Sequence, residues 1–348
     1  MAIKIALAGI GKIARDQHIP ALVASSDWEL AATVSRHATV DGVEAFDDFE
    51  AMLKARPDIE VVSLCMPPVP RFDYARAAIA AGRHVMLEKP PGATLSECHA
   101  LEAMARNAGV SIYATWHSRE AAMVASAKAW LAGKALTSLV VTWKEDVRKW
   151  HPGQTWIWQA GGLGVFDPGI NALSIVTEIL QEPIHISSSE LLIPENCETP
   201  IAANLTFALS IVTEILPDPI HVASSELLIP ENCETPIAAN LTFTHPSGAQ
   251  VSAELDFRKE GDQFWNIAIE TDQGNLVLSE GGATLSINGE TQTAASSDNA
   301  LQGEYPRLYA NMARLVRERA IDMDLSPMAH VADAFLLGKR ISVEPFIE

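Results

Sequence analysis

Basic residues are scarce in this chain. Lysine and arginine total 25 against 44 aspartates and glutamates, so the 348 residues carry a formal net charge of −19. Nucleic-acid phosphates require a basic surface, which argues against DNA or RNA as a partner. No basic amphipathic segment indicates binding to a membrane surface. The longest apolar runs are also far shorter than the ~20 residues of a membrane-spanning helix.

Cysteine is scarce as well. The chain has 4 cysteines, at positions 65, 98, 197 and 233, and none has the spacing of a zinc or redox motif. We therefore expect free thiols, no metal site and a location in the reducing cytoplasm. The apolar run in the N-terminal MAIKIALAGIG lacks the cleavage site of a signal peptide, so it is interpreted as a buried strand.

One internal repeat is present. Residues 172–207 recur at 208–243, a period of 36, with four differences. Solenoids need three or more units, so two near-identical copies indicate a recent or engineered tandem duplication. We take the chain without one copy as the functional unit. The first copy should supply the helix that follows Asn171, and the second should supply the strand that enters residues 247–257. The surplus should dock as an extra helix and strands at the sheet edge, or interfere with an oligomer interface.

Strands and helices alternate over residues 1–120. Short apolar segments predict five strands, and glycines and a capping box mark the ends of the helices between them. This alternation predicts a parallel sheet with right-handed crossovers, an α/β Rossmann domain that binds a dinucleotide. The predicted strands are 3–8, 29–34, 61–65, 84–88 and 111–115. The predicted helices include 71–81 and one that opens at the capping box of Thr94 and Glu97 and ends near Gly109.

The first strand ends in a GxGxxA turn. Gly9 permits the tight turn, Gly11 lets the backbone approach a pyrophosphate, and the small Ala14 lets the helix meet the strand. The N-terminus of the following helix would then face the phosphates. Placed between a first strand and a first helix, the motif predicts a dinucleotide site, to which we also assign Lys12 and Ile13.

Two further strand ends complete the predicted cofactor site. The second strand ends at Ser35 and Arg36, where an NAD site usually has a carboxylate; a guanidinium there favours NADP over NAD. Lys89 follows the strand 84–88, at the carboxyl edge where ligands of open α/β sheets bind, and should lie near the nicotinamide. Pro67 and Glu88 are assigned to the same site.

The pattern changes from about Ser138. Longer strands separated by Gly, Asp and Asn turns predict an α+β domain over 121–348 with a largely antiparallel open sheet. Its strand segments are 137–146, 247–257, 266–271, 274–279 and 283–289, and its helices 305–318 and 327–340. The segment WKEDVRKWHPGQTWIWQAGGLGVFDPGIN is dense in tryptophan, carboxylate and amide side chains, which suits a sugar.

The motifs GIGKIA, EKPP and DPGIN, in this order, resemble the glucose–fructose oxidoreductase / inositol dehydrogenase (Gfo/Idh/MocA) family. The segment from WKEDVRKWHPGQ to DPGIN resembles the family's aldose 1-dehydrogenases, which act on sugars such as D-galactose and L-arabinose. The resemblance implies an NAD(P)-dependent oxidoreductase that converts C1 of D-galactose, L-arabinose or D-fucose to the lactone. Separately, an exposed face of the predicted sheet suggests a homo-oligomer, a dimer or a tetramer.

The resemblance assigns roles to individual residues. Lys89 matches the family lysine, and Asn171 stands where the wider family commonly has a histidine base, which leaves Asp167 as the candidate base. Five residues should line the sugar pocket: His117, Glu145, Trp150, His151 and Trp265. Two alternatives stay open: a dehydrogenase acting at another sugar carbon, as in inositol dehydrogenases, and a sensor that binds a sugar or nucleotide through a degenerate site.

Overall fold

The computed structural model describes residues 2–159, 161–180, 184–194, 202–209, 228–229, 238–242, 250–293 and 300–343. These residues form two compact units, Met1–Glu120 with Ser297–Leu325, and Ala121–Ser296 with Ser326–Glu348. No helix of the described ranges is long and apolar enough to cross a membrane. The same ranges contain no cluster of three or more His, Cys, Asp or Glu side chains that could hold a metal ion.

The element order alternates in the first unit and is strand-rich in the second. The described helices are α1 (Ile19–Val23), α2 (Phe49–Ala55), α3 (Pro68–Ala80), α4 (Leu95–Ala108), α5 (Val124–Leu131), α6 (Val147–Trp150), α7 (Phe166–Ile179), α8 (Ala300–Glu318) and α9 (Ser326–Leu337). The strands of the first unit are β1 (Ile3–Ala8), β2 (Trp28–Val34), β3 (Glu44–Phe46), β4 (Val61–Leu64), β5 (His84–Leu87) and β6 (Ile112–Ala114). Those of the second are β7 (Leu136–Lys144), β8 (Ile184–Pro194), β9 (Ala202–Leu209), β10 (Leu228–Ile229), β11 (Ala238–Thr242), β12 (Gln250–Asp256), β13 (Phe264–Thr271), β14 (Gly274–Ser279), β15 (Thr284–Ile287), β16 (Glu290–Thr293) and β17 (Lys339–Val343).

The first unit is built on one parallel sheet of six strands, in the order β3-β2-β1-β4-β5-β6. This is the doubly wound Rossmann order, and it confirms the predicted fold class. The edge strand β3 has only three residues, too short for its pattern to be recognised in the sequence. The predicted capping box at the start of α4 is present, with both of its hydrogen bonds, and Gly109 ends the helix in the left-handed conformation.

Helix α8 belongs to the first unit, although the sequence analysis assigned its residues to the second domain. One face of α8 carries Tyr305, Leu308, Tyr309 and Met312, all buried in the apolar core that also contains Leu7 of β1. The i, i+3, i+4 and i+7 spacing puts these side chains on one stripe. Because this stripe is buried against the parallel sheet, α8 belongs to the first unit although it is distant from it in sequence.

The second unit contains two sheets. A seven-stranded sheet has the order β11-β12-β7-β13-β14-β15-β16, and a four-stranded sheet has the order β10-β17-β8-β9. In the seven-stranded sheet most neighbours pair antiparallel, as predicted, and β12 pairs with β7 in parallel. In the four-stranded sheet β8 pairs with β9 antiparallel, whereas β10, β17 and β8 pair with one another in parallel. The last predicted helix is shorter than expected, because α9 ends at Leu337 and β17 follows.

The duplicated sequence contributes to both sheets. The first copy continues α7 beyond Asn171, as predicted, and forms β8 and most of β9, whose last two residues belong to the second copy. The second copy supplies β11, which pairs antiparallel with β12, also as predicted. β9 and β11 share the sequence AANLT, and β9 pairs with β8 whereas β11 pairs with β12. The expected extra helix of the second copy lies outside the described residues.

Candidate active site

The turn after β1 makes its closest approach to the end of β4. Gly9 has a φ of +90°, and a Cβ at this position would lie 2.7 Å from the backbone nitrogen of Met66. Only glycine fits such a place. Gly11 differs, because no protein atom lies within 4 Å of where its Cβ would stand. A pyrophosphate would need that open space, so the turn fits the dinucleotide that the motif predicts.

The other predicted cofactor residues follow the carboxyl ends of neighbouring parallel strands, which share one edge of the sheet. Lys12 is exposed and Ile13 is half-buried just before a π-helical turn, Ala14–His18. Ser35 closes β2 through its backbone N–H, which donates to Phe46 O at 2.9 Å. Arg36 follows it and is exposed. Pro67 precedes α3 and is exposed as well.

Lys89 is half-buried directly after the buried Glu88 at the end of β5. The Glu88 carboxylate accepts hydrogen bonds from the Lys89 backbone N–H at 2.6 Å and from the Tyr305 hydroxyl at 2.5 Å. The His18 Nε2 lies 3.2 Å from the same carboxylate, and its Nδ1 lies 2.7 Å from the Tyr309 hydroxyl. The carboxylate of Glu88 is thus committed to donors inside the unit.

The polar groups of this network shift one another's pKa values. Burial lowers the pKa of the His18 imidazole, but the Cys65 thiol, the Tyr309 hydroxyl and the Glu88 carboxylate together raise it well above its ordinary value. Burial likewise raises the pKa of the Glu88 carboxyl, but the hydrogen bond from His18 and its positive charge hold that pKa well below its usual range. Both directions favour an imidazolium–carboxylate pair.

His117, predicted to line the sugar pocket, is buried in the first unit. Its Nδ1 lies 2.6 Å from a carboxylate oxygen of Glu304 at the start of α8. Its ring stacks on Tyr305 with a centroid separation of 5.7 Å and an interplanar angle of 20°. These contacts hold the imidazole in a defined orientation against the network of Glu88.

Helix α7 positions the predicted base in the second unit. Asp167 lies in the first helical turn and is buried, and Asn171 follows four residues later on the same face, half-buried. Gly169 lets the helix pack closely, because a Cβ there would lie 2.7 Å from Cδ1 of Leu255.

Three polar residues predicted for the sugar site come together beside this helix. His151 lies between two buried carboxylates, with its Nε2 3.4 Å from Glu145 and its Nδ1 3.8 Å from Asp167. The Trp265 indole N–H donates to the second oxygen of Glu145 at 2.9 Å. The imidazole therefore lies within ion-pair distance of both carboxylates, and carboxylates can accept hydrogen bonds from hydroxyl groups.

Aromatic rings surround the same residues. Trp150 is exposed, and its ring meets Trp265 edge to face with a centroid separation of 5.4 Å. The rings of His151 and Trp158 both pack against the ring of Phe257, with centroid separations of 5.6 and 5.8 Å. Exposed indole beside buried carboxylate is a surface that can stack on a sugar ring and bind its hydroxyls.

The sequence analysis missed the network behind Lys89. His18, Tyr305 and Tyr309 carry it, together with Arg71, whose guanidinium donates to the carbonyls of Glu88, Pro90 and Met66. His18 lies in the helical segment after the glycine turn, and the four-residue spacing of Tyr305 and Tyr309 places both on one helix face. These positions could therefore be recognised in the sequence. Their partners are distant in the chain, and only the fold joins them.

Comparison with known proteins is consistent with this arrangement. Residues 3–115 match the model of an oxidoreductase family with an NAD-binding Rossmann fold. A galactose 1-dehydrogenase of Pseudomonas fluorescens is 38% identical over 99% of both chains. The crystal structure of a D-galactose-1-dehydrogenase protein from Rhizobium etli is 47% identical, with a TM-score of 0.84, over 99% of this chain and 98% of that one. The 3-ketoreductase KijD10 of Actinomadura kijaniata, crystallised with NADP and TDP-benzene, shares the fold at 16% identity, with a TM-score of 0.69 over 100% of both chains.

Proposed function

The chain belongs to the Gfo/Idh/MocA family of NAD(P)-dependent oxidoreductases, as its motifs indicated, and from that premise we propose that it oxidises C1 of D-galactose to the lactone. The supporting observation is the group of Glu145, His151 and Asp167 beside exposed indole. Buried acceptors beside an aromatic face are what a pyranose requires, and the two relatives that are 38% and 47% identical over nearly their whole length are named for galactose.

Each residue has a part in the proposed reaction. Asp167 accepts the proton of the anomeric hydroxyl, directly or through Lys89, and the Asn171 amide donates to the C1 oxygen. Lys89 orients the hydroxyl and stabilises the developing alkoxide charge. A nicotinamide bound beside Lys89 would supply the hydride acceptor for C1. A base of this kind contributes roughly 10²–10⁴-fold in rate.

His151 extends this scheme. It lies within reach of both Asp167 and Glu145, so the proton taken from the sugar can be shared with the imidazole rather than held by one buried carboxylate. Glu145, fixed by the indole of Trp265, then serves as an acceptor for sugar hydroxyls. Trp150 supplies the exposed stacking face.

The cofactor preference is a separate part of the proposal. The first domain binds a nicotinamide dinucleotide at the turn of Gly9 and Gly11, and we propose NADP as the preferred form. Arg36 is exposed just after the end of β2. An NAD site usually has an aspartate or glutamate here, whereas this chain has Ser35 and Arg36. A guanidinium can pair with a 2′-phosphate and stack on the adenine.

The proposal is tested by following reduction of NADP and NAD with a panel of D-galactose, L-arabinose, D-fucose and myo-inositol. We expect the highest kcat/KM with the three aldoses, which differ only at C5, where one group is worth about 1–3 kcal/mol. Trapping of the lactone product as a hydroxamate distinguishes oxidation at C1 from oxidation at another carbon. Binding of galactose without turnover would instead indicate a sensor. A homo-oligomer, dimer or tetramer, remains part of the proposal and is tested by light scattering.

A further inference from the structure

We propose that Tyr305, through the buried carboxylate of Glu88, is a positioning residue for Lys89. The inference rests on the proposed function, because it assumes that the Lys89 ammonium acts on the substrate. Nothing in the reaction requires Tyr305 to touch the sugar. Its part is to hold the segment that carries the lysine.

The carboxylate of Glu88 connects the tyrosine to the lysine directly. One oxygen accepts from the Tyr305 hydroxyl at 2.5 Å, and the other accepts from the Lys89 backbone N–H at 2.6 Å. Tyr305 and Glu88 are both buried. A buried carboxylate with charge-assisted hydrogen bonds has a narrow range of allowed positions, because losing either bond leaves a buried charge poorly solvated.

Two other residues limit movement of the same segment. His18 approaches the carboxylate oxygen that Tyr305 also contacts, at 3.2 Å. From the opposite side, the buried guanidinium of Arg71 donates to the carbonyl oxygens of Glu88 and Pro90, the residues on either side of Lys89. The main chain at Lys89 is therefore held through its N–H and through both flanking carbonyls, whereas its ammonium group lies on a half-buried side chain.

The anchor comes from a distant part of the chain. Tyr305 is 217 residues from Glu88, and it lies on α8, whose buried stripe packs on the core of the first unit. A tyrosine fixed in such a core has few alternative rotamers. Its hydroxyl therefore restrains the position of the lysine segment more tightly than a group on the loop itself would.

Tyr305→Phe is the direct test, because it removes the hydroxyl and keeps the ring that stacks on His117. We expect kcat for D-galactose to fall about tenfold, since a misplaced catalytic group costs one to two orders of magnitude in rate. KM for the cofactor should change less than about twofold. Tyr113→Phe is the matched control: Tyr113 is buried in the same core and is hydrogen-bonded to Asn311 of α8, but it has no contact with Glu88 among the described hydrogen bonds. It should leave kcat within about twofold.

A double-mutant cycle separates positioning from a general structural effect. If Tyr305 acts through Lys89, Tyr305→Phe should have little further effect on kcat in a Lys89→Ala background. Where Lys89→Ala turns over too slowly to measure, Lys89→Arg provides the background. Equal losses in both backgrounds, or equal losses for Tyr305→Phe and Tyr113→Phe, would overturn the inference.

The proposed function and this inference fail in different ways. Full activity of Lys89→Ala would remove the catalytic role of Lys89, and with it the premise. Impaired Lys89→Ala with fully active Tyr305→Phe would refute positioning alone. If Tyr305→Phe does not fold, Glu88→Gln replaces it in the same cycle, because the amide keeps the shape and loses one acceptor.

Discussion

The two glycines of the first turn allow stability and cofactor binding to be tested separately. A side chain at Gly9 would have to adopt a φ of +90° with its Cβ 2.7 Å from Met66 N. The backbone strain costs about 1–2 kcal/mol, and overpacking against backbone adds about 1–3 kcal/mol. We therefore expect Gly9→Ala to lower the free energy of unfolding by about 2–5 kcal/mol.

Gly11→Ala is the contrasting change. Its Cβ would meet no protein atom within 4 Å, so the free energy of unfolding should stay within about 0.5 kcal/mol of the unmodified protein. The methyl group would instead occupy the space that a pyrophosphate needs. Loss of one hydrogen bond to a charged group costs about 1.5–3 kcal/mol, so the Kd for NADP should rise about ten- to a hundredfold.

Urea unfolding followed by circular dichroism measures the first effect, and calorimetric titration with NADP measures the second. We expect a crossed result, in which Gly9→Ala loses stability and Gly11→Ala loses affinity for NADP. Unchanged NADP affinity in Gly11→Ala would show that the pyrophosphate does not lie over this turn. A Gly9→Ala variant as stable as the unmodified protein would show that the turn does not approach Met66 as described.

Four further changes address the base and its neighbour, the cofactor and the duplication. Asp167→Asn keeps the shape of the side chain and removes the acceptor, so kcat should fall by roughly 10²-fold or more with NADP affinity unchanged, and Asn171→Ala should cost less; near-full turnover of Asp167→Asn would move the base to His151. Arg36→Ala should raise KM for NADP and leave KM for NAD within about twofold, and a tenfold preference of the unmodified protein for NAD would contradict the role of Arg36. Deletion of residues 172–207 should keep activity and raise the melting temperature, because a 36-residue insertion costs about 3 kcal/mol in closure entropy; a folded but inactive deletion variant would show that the second copy has a function.

The deletion also tests how the duplicated strands are related. Asn204 of β9 pairs with Glu190, and Asn240 of β11, the same residue one repeat later, pairs with Glu254. In a chain with one copy, a single AANLT strand could take both partners and join the two sheets. The deletion would then remove two sheet edges, which agrees in sign with the expected rise in melting temperature.

Local chemistry made much of this protein predictable from its sequence. The GxGxxA turn, the capping box of α4 and the DPGIN start of α7 each depend on residues within one or two helical turns, so their patterns are complete in a short window. Alternation of strands and helices predicted the parallel sheet with right-handed crossovers, whereas its strand order and its three-residue edge strand β3 came from the fold. The family motifs lie in such windows too, which is why the relationship was visible before any coordinates.

What the fold alone decided are the contacts between distant segments. Helix α8 could be recognised from the spacing of its apolar residues. That spacing does not show which core buries them, and the helix packs in the first unit rather than the second. The link from Tyr305 through Glu88 to the backbone of Lys89 has the same origin. A buried carboxylate must find donors wherever the fold brings them within about 3 Å, and no sequence pattern encodes a hydrogen bond across 217 residues.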